Sequence, residues 1–302
     1  MMDLPAIFVR NIKVSFGAEG ENWLTRLPSL VEGAVQRWSL TEVHQVGNLS
    51  YNYVAFAKSG EEDFVLKIGV PSREFISEMI ALRIFGGDGA VNLLESDADN
   101  YMFLMERVRP GTMLADLSDD DERCTQIACD VMTHLWRPAP QGPLIQLSEW
   151  FGELKELRIR YDGGTGPFPE KLIERVESLI PELFLNSSPP MLLHGDFHHF
   201  NILSSDRGWL AIDPKGVIGP PEYEVGPLLI NPWDDLSKLP DAVRITERRL
   251  AILSERLGFP RECLRDWGLC HAVLSAFWDL TDDGTGGEYS IGCAEVIAKA
   301  KI

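Results

Sequence analysis

The apolar residues at the start of the chain follow a helical period and then give way to strand-like runs. Trp23, Leu27 and Val31 belong to a series at near-helical spacing, which predicts a helical lead-in over the first forty residues. The apolar runs that follow are separated by Gly-Asn and Ser-Gly-Glu-Glu turns, a pattern typical of antiparallel strands. We therefore expect a meander with strands at 38–46, 51–58 and 63–69.

Helical spacing returns after Pro71. A helix is predicted over residues 73–85, because Phe75 and Met79 belong to a single apolar face. Two further strands are expected at 92–95 and 101–108, on either side of a turn-forming Asp-Ala-Asp-Asn sequence. Together these elements predict a small lobe of five antiparallel strands and one helix.

The pattern changes after Arg109-Pro110-Gly111, which predicts a hinge. Beyond it the apolar residues fall mainly on helical stripes, and the last two long helices are expected at 241–257 and 261–280. The predicted fold is therefore α+β and bilobal. Its N-terminal lobe would comprise residues 1–108, with the helical lead-in, and its mainly helical C-terminal lobe residues 109–302.

The composition is that of an ordinary globular protein, with 302 residues of which 45% are hydrophobic and 25% charged. The formal net charge of −18 argues against a nucleic-acid partner, which needs a basic surface, and it suits a cationic substrate. No segment has the apolar length of a membrane span, and the five cysteines contain no CxxC pair. We expect a monomeric cytoplasmic protein without membrane or nucleic-acid partners.

The strongest chemical signal comes from Asp196, Asn201 and Asp213, on short turns between apolar, strand-like segments. Asn201 follows Asp196 by five positions, the interval of the H-x-D-x-x-x-x-N loop of kinases, and Asp213 lies twelve positions further on. Asp and Asn also favour ordinary turns, but turn preference does not explain these intervals. The pattern predicts a phosphotransferase site.

Each of these side chains suits one task in phosphoryl transfer. A carboxylate beside the acceptor hydroxyl can position it and take its proton, which predicts Asp196 as the base. Asn201 and Asp213 offer one neutral and one anionic oxygen, and oxygen atoms are the ligands that Mg²⁺ prefers. His194 is grouped with these catalytic residues, and its ring is predicted to brace the loop.

The histidines around Asp196 raise a second possibility, a transition-metal site formed by His194, Asp196, His198 and His199. No Cys or Glu stands nearby at the spacing of a zinc motif, so we favour the phosphotransferase interpretation. His198 and His199 are then expected to flank the loop, one packed inward and the other facing the cleft.

Lys67 interrupts an apolar strand, where an ammonium group needs an anionic partner. Glu78, on the following helix, matches the Lys and Glu pair that holds nucleotide phosphates in kinases. Glu74 lies one turn earlier on the same face and is an alternative partner.

Two segments are predicted to hold a nucleotide. A loop with Gly47, Asn48 and Ser50 would cover the phosphates, although it has one glycine where a protein kinase has three. The second segment, at the position of the adenine-binding hinge of kinases, would contact adenine through backbone groups. ATP and Mg²⁺ are therefore the predicted cofactors, and the hinge residues are Met105, Glu106 and Val108.

With these residues in place, the chain resembles the aminoglycoside phosphotransferase superfamily, and within it the streptomycin 6-phosphotransferase and hydroxyurea phosphotransferase group. The resemblance implies a protein-kinase-like fold and assigns Glu224 to bracing the catalytic loop. The Asp-Pro-Lys-Gly sequence that begins at Asp213 carries the subgroup assignment. The resemblance covers nearly the whole chain, above all the segments 65–71, 73–85, 194–203 and 211–229.

This resemblance implies an ATP-dependent O-phosphotransferase that phosphorylates a streptomycin-like aminoglycoside on its 6-hydroxyl and so confers resistance. The first alternative is a kinase of hydroxyurea or of another small metabolite. The second is a nucleotide-binding pseudokinase that acts as an interaction module. The presence of Lys67, Asp196, Asn201 and Asp213 together argues against this alternative. The acceptor pocket is expected beside Asp196, with acidic residues that could bind a cation: Asp234, Asp235, Asp279, Asp282 and Asp283.

Overall fold

A long helix and a five-stranded sheet dominate the N-terminal half. The computed structural model describes residues 2–117, 120–232, 236–282 and 287–302, with only the backbone of Asp282. In chain order the elements of this half are α1 (Ala6–Trp38), β1 (Thr41–Gln45), β2 (Tyr53–Ser59), β3 (Glu62–Ile68), α2 (Arg73–Phe85), β4 (Leu93–Asp97) and β5 (Met102–Glu106). The strands pair antiparallel in the order β1-β2-β3-β5-β4, which confirms the predicted five-stranded antiparallel sheet.

The two faces of this sheet pack against different helices. Leu66 and Ile68 of β3 are fully buried in an apolar core that also contains Phe8 and Leu27 of α1. Because side chains alternate along a strand, Lys67 points to the other face, where α2 lies. The sheet therefore holds a charged side chain on the side away from α1.

Helix α1 is bent. The backbone at Gly17 leaves the helical region, with φ of 54° and ψ of −131°, and divides α1 into a short and a long arm. The short arm packs back on the long one, where Phe8 meets the ring of Trp23 at 6.1 Å between centroids. The predicted helical lead-in is present, but the sequence pattern does not show its bend.

The C-terminal half is mainly helical, as predicted. Its long helices surround a larger apolar core, to which α2 also contributes Phe75, Met79 and Phe85. The elements are β6 (Pro110–Met113), α3 (Asp121–Leu135), β7 (Arg137–Pro138), β8 (Ile145–Gln146), α4 (Leu147–Glu153), α5 (Lys155–Arg160), α6 (Glu170–Asn186), β9 (Met191–Leu193), β10 (Ile202–Ser205), β11 (Gly208–Ala211), β12 (Val217–Gly219), α7 (Val225–Leu229), α8 (Ala242–Leu257), α9 (Arg261–Asp282) and α10 (Glu288–Lys299).

Two small sheets position the loops of this half. One has the strand order β11-β10-β6 and the other β7-β9-β12-β8. Their strands are two to four residues long, too short to show an alternating period in the sequence. They place the 194–201 loop, which follows β9, beside the segment that follows β11. Within the part of the chain that the structure describes, no helix combines the length and apolarity needed to cross a membrane.

Candidate active site

The 194–201 loop starts where β9 ends, and a buried carboxylate fixes its first residues. The backbone N–H groups of His194 and Gly195 both donate to Glu224, each at 2.8 Å. Gly195 has φ of 86°, and a Cβ there would lie 2.8 Å from Val217 Cγ2, so glycine is required. Glu224, assigned to bracing this loop by the resemblance, lies where it can do so.

The imidazole of His194 links this loop to the strand segment before Asp213. Burial lowers the pKa of His194 to about 4, so the ring is neutral at pH 7. Its Nε2 lies 2.8 Å from the carbonyl oxygen of Ile212, and its Nδ1 accepts a 3.3 Å bond from the backbone N–H of Asp196. A ring protonated on Nε2 satisfies both contacts, which leaves no nitrogen of His194 for a metal ion.

Asp196 and Asn201 lie side by side in this loop. Asn201 Nδ2 donates to the carbonyl oxygen of Asp196 at 3.0 Å and lies 3.3 Å from His198 Nε2. Because Asn201 Nδ2 is used in these contacts, Oδ1 is the side-chain atom of Asn201 that can bind a ligand.

The carboxylate of Asp196 is partly exposed and lies 3.5 Å from His198 Nε2. Burial alone would raise the pKa of Asp196, but the neighbouring His198 and Lys215 hold it below its usual value. Asp196 is therefore ionised at neutral pH. His199, in contrast, is buried inside the loop, whereas His198 is half-buried beside Asp196.

Asp213 is held in an uncommon backbone conformation. Its φ is 57°, in the left-handed region that residues other than glycine rarely adopt. The backbone N–H of Lys215 donates to His194 O at 2.7 Å, and that of Ile212 donates to Asn201 O at 2.9 Å. These bonds set Asp213 beside Asn201, so the two predicted metal ligands lie on adjacent segments.

Lys67 joins the N-terminal sheet to this site. Its Nζ lies 2.6 Å from Glu78 Oε1 and 3.2 Å from Asp213 Oδ1, and only 3% of the residue is exposed. Burial alone would lower the pKa of Lys67, but the carboxylates of Asp213 and Glu78 outweigh it and raise the pKa. Of the two candidate partners, Glu78 makes the ion pair, and Glu74 does not.

The predicted phosphate-covering residues lie in the loop between β1 and β2. Gly47, Asn48 and Ser50 are exposed there. The amide of Asn11, on the short arm of α1, donates to Ser50 O at 3.4 Å. Helix α1 therefore contacts the loop.

The predicted hinge residues are Met105 and Glu106, at the end of β5, and Val108. The carboxylate of Glu106 accepts a 2.7 Å bond from the backbone N–H of Asn92 and pairs with Arg207. The backbone N–H of Glu106 donates to Asn92 O at 3.0 Å, so its side chain and its N–H are both used within the protein, and contact of this segment with adenine stays a prediction.

Of the predicted acceptor residues, the structure places Asp279. It is exposed on α9 and lines a groove of about 200 Å³ with Tyr51 and with Arg10 and Asn11 of α1. Its carboxylate accepts a 3.1 Å bond from Ser290. Asp234, Asp235, Asp283 and the side chain of Asp282 lie outside the described residues.

Sequence reasoning missed Lys215 and the pair formed by Tyr223 and His271. Tyr223 is fully buried and its hydroxyl lies 2.9 Å from His271 Nδ1. Burial raises the pKa of Tyr223 and lowers that of His271 to about 4, so the phenol donates to a neutral imidazole. The two residues are 48 positions apart, and no spacing rule connects them. Lys215 could have been singled out as the cation within the Asp-Pro-Lys-Gly sequence.

The buried histidines predict a loss of stability in acid. Below pH 6.5 an unfolded chain binds a proton at His271, whereas the folded chain does so only near pH 4. His271 should therefore lower the unfolding free energy by about 2 kcal/mol between pH 7 and pH 5. Urea unfolding of His271→Gln should therefore show a loss between pH 7 and pH 5 that is smaller than the wild-type loss by about this amount. His44→Gln, at an exposed site, is the control, and an equal loss in both variants would refute the assignment.

Comparison with known proteins places these residues in a family. A family model for aminoglycoside/hydroxyurea antibiotic resistance kinases matches residues 37–284. Streptomycin 6-kinase of Streptomyces griseus is 33% identical, with 94% of each chain covered. Hydroxyurea phosphotransferase of Kitasatospora aureofaciens is 28% identical over 98% of this chain and 86% of its own. Streptomycin 3''-kinase of Klebsiella pneumoniae is 30% identical over 82% of this chain and 91% of its own.

Solved structures share the fold. A thermostable mutant of the aminoglycoside phosphotransferase APH(4)-Ia, in a ternary complex with ADP and hygromycin B, has a TM-score of 0.62 at 15% identity, with 89% of this chain and 97% of that chain covered. Choline kinase LicA from Streptococcus pneumoniae has a TM-score of 0.64 at 15% identity, with coverage of 90% and 97%. These likenesses confirm the predicted protein-kinase-like fold. Since the family model and the curated relatives span most of the sequence, the chain belongs to the aminoglycoside/hydroxyurea antibiotic resistance kinases.

Proposed function

We propose that this kinase transfers the γ-phosphoryl group of ATP to the 6-hydroxyl of streptomycin or a close relative and thereby inactivates it. The observation that carries the proposal is the convergence of Lys67, Asp196, Asn201 and Asp213 on one site in a chain of this family. Lys67 comes from β3, Asp196 and Asn201 from the loop after β9, and Asp213 from the turn after β11. Their convergence also argues against a pseudokinase.

Asp196 is the proposed base. Its carboxylate is ionised and partly exposed, so an acceptor hydroxyl can donate to it. In the transfer the acceptor oxygen bonds to the γ-phosphorus and its proton passes to Asp196. The bond from that phosphorus to the β–γ bridging oxygen breaks, and its electron pair leaves with ADP. Glu224 and His194 keep the loop in place during this exchange.

Asn201 and Asp213 are the proposed ligands of Mg²⁺. An amide oxygen and a carboxylate fit this ion, because protein sites for Mg²⁺ supply one or two such ligands and leave the remainder to phosphate and water. When bound, Mg²⁺ would neutralise phosphate charge during transfer. The ion pair between Lys67 and Asp213 keeps both groups charged before nucleotide binds.

Nucleotide would lie between the two halves. We propose that the N–H groups around Gly47, Asn48 and Ser50 cover its phosphates. Adenine would meet backbone groups of the hinge from Met105 to Val108. The proposed lobe boundary after residue 108 then puts the nucleotide at the junction of the two lobes, with Lys67 and Glu78 on the N-terminal side.

The acceptor pocket is proposed beside Asp196, on the side where Asp279 lies. A net charge of −18 and an exposed carboxylate in an open groove favour a cationic acceptor such as a streptomycin-like aminoglycoside. A neutral acceptor such as hydroxyurea is the second candidate, supported by the curated relative with that activity.

The five cysteines are free thiols, which supports the proposed cytoplasmic location.

Ionic strength separates the two candidates. If carboxylates hold a cationic acceptor, its KM should rise steeply with salt, whereas the KM for ATP should change less. Asp279→Asn should raise the acceptor KM by about two- to fivefold and weaken its salt dependence. Steady-state kinetics at several salt concentrations measure both effects. Asp206→Asn, in the exposed turn between β10 and β11, is the matched control.

A salt-independent KM for streptomycin would contradict electrostatic binding of this acceptor. The neutral-substrate candidate would gain support if hydroxyurea were turned over with a salt-independent KM.

A further inference from the structure

Lys215 occupies a fixed position between the two halves of the molecule. Its backbone N–H donates to His194 O at 2.7 Å, and that of Gly216 donates to the same oxygen at 3.2 Å. Ser77 of α2 donates to Gly216 O at 2.6 Å. Gly216 has φ of 66°, and a Cβ there would lie 2.5 Å from Ser77 O. The turn at residues 215–216 is therefore hydrogen-bonded to the 194–201 loop on one side and packed closely against α2 on the other.

The side chain of Lys215 starts directly over this loop. Its Cβ lies 3.3 Å from the point that a Cβ on Gly195 would occupy, next to Asp196. Glu74 and Asp196 are the two anions that act most strongly on its ammonium group. Lys215 therefore begins beside the proposed base and stands two residues after the proposed metal ligand.

The two active-site lysines differ in their partners. Lys67 makes ion pairs with Glu78 and Asp213 at 2.6 and 3.2 Å. Among the described residues no carboxylate lies within 4 Å of Lys215 Nζ, although the side chain is partly buried. A partly buried ammonium without a close anion is suited to bind an anionic ligand.

We propose that Lys215 is a catalytic residue that binds the γ-phosphoryl group of ATP and stabilises it during transfer. That group must lie between Asp196, which faces the acceptor hydroxyl, and Asp213, which faces the metal, and Lys215 lies near both. A cation there offsets the negative charge on the equatorial oxygens while the bond to the bridging oxygen breaks. The inference rests on the kinase chemistry of the proposed function and is independent of which acceptor is phosphorylated.

Nucleotide titration without acceptor tests this role. ADP and the β,γ-imido analogue of ATP, each with Mg²⁺, are titrated calorimetrically into wild type, Lys215→Met, Lys215→Gln and Lys215→Arg. The neutral variants should bind the ATP analogue about tenfold more weakly and ADP with unchanged affinity, because only the analogue has a γ-group. Lys215→Arg should restore most of the difference, since it keeps the charge. Lys171→Met, at an exposed site on α6, is the matched control.

Turnover supplies a second readout. With whichever acceptor the wild type phosphorylates, kcat of the neutral variants should fall by about 10²-fold. If the binding of ADP and that of the analogue weaken equally, Lys215 only shapes the site. If the affinity for both is unchanged, Lys215 does not reach the phosphate. Either result would overturn the proposal. The titrations contain no acceptor, so they give the same result even if the proposed acceptor is wrong. Failure of the proposed function can therefore be told apart from failure of the role proposed for Lys215.

Discussion

Replacing Asp196 by Asn is expected to lower kcat by about 10³-fold, because the change removes the proton acceptor and keeps the shape of the side chain. Its carboxylate is ionised and partly exposed, and it has no structural ion pair as short as that of Lys67. Folding and affinity for Mg²⁺-ATP should therefore change little. Steady-state kinetics, together with nucleotide titration on the same preparation, measure the two quantities separately.

Asp206→Asn is the matched control for this loss, since it makes the same chemical change at an exposed turn. Its kcat should equal that of the wild type. An Asp196→Asn enzyme that keeps wild-type turnover would exclude Asp196 as the base. A loss of nucleotide affinity equal to the loss of kcat would assign the residue to binding instead.

Replacing Asp213 by Asn or Ala should weaken binding of Mg²⁺-ATP and lower kcat together. A metal ligand is lost, and Lys67 loses one of its two anionic partners. Loss of even an outer-shell partner costs 10- to 100-fold in metal affinity, so we expect a decrease of about 10²-fold or more. Calorimetric titration of ATP over a series of Mg²⁺ concentrations measures it.

The two substitutions at Asp213 differ in their structural cost. Asn tolerates the left-handed backbone conformation found there, whereas Ala does not. Asp213→Asn should therefore stay close to the wild type in thermal stability, and Asp213→Ala should be less stable. Unchanged Mg²⁺-ATP affinity in the stable Asn variant would mean that Asp213 is not a metal ligand.

Much of the fold could be predicted because its elements are long enough to show a period. Alternation and turn sequences locate β1 to β5, and the apolar face that contains Phe75 locates α2. The strands of the two small sheets, such as β7 and β8, are too short to show one. The bend of α1 at Gly17 is also absent from the pattern, since apolar spacing continues on both sides of it.

The site could be predicted most directly where spacing along the chain reflects proximity in space. Asp196 and Asn201 share one loop, so their interval indicates their role. Glu74 and Glu78 lie one turn apart on the same helix, and only the packing of α2 on the sheet selects Glu78. His271 reaches Tyr223 from α9 through tertiary packing, which leaves no mark in the sequence.

The most direct test of the proposed function is the product formed from streptomycin. The purified chain is incubated with ATP, Mg²⁺ and streptomycin, and the product is analysed by mass spectrometry and by NMR to find the phosphorylated carbon. We predict one added phosphoryl group, on the 6-hydroxyl, with one ADP formed per product. A phosphate on the 3''-hydroxyl would contradict the assigned position. No phosphorylated streptomycin, under conditions in which another acceptor is turned over, would contradict the central claim.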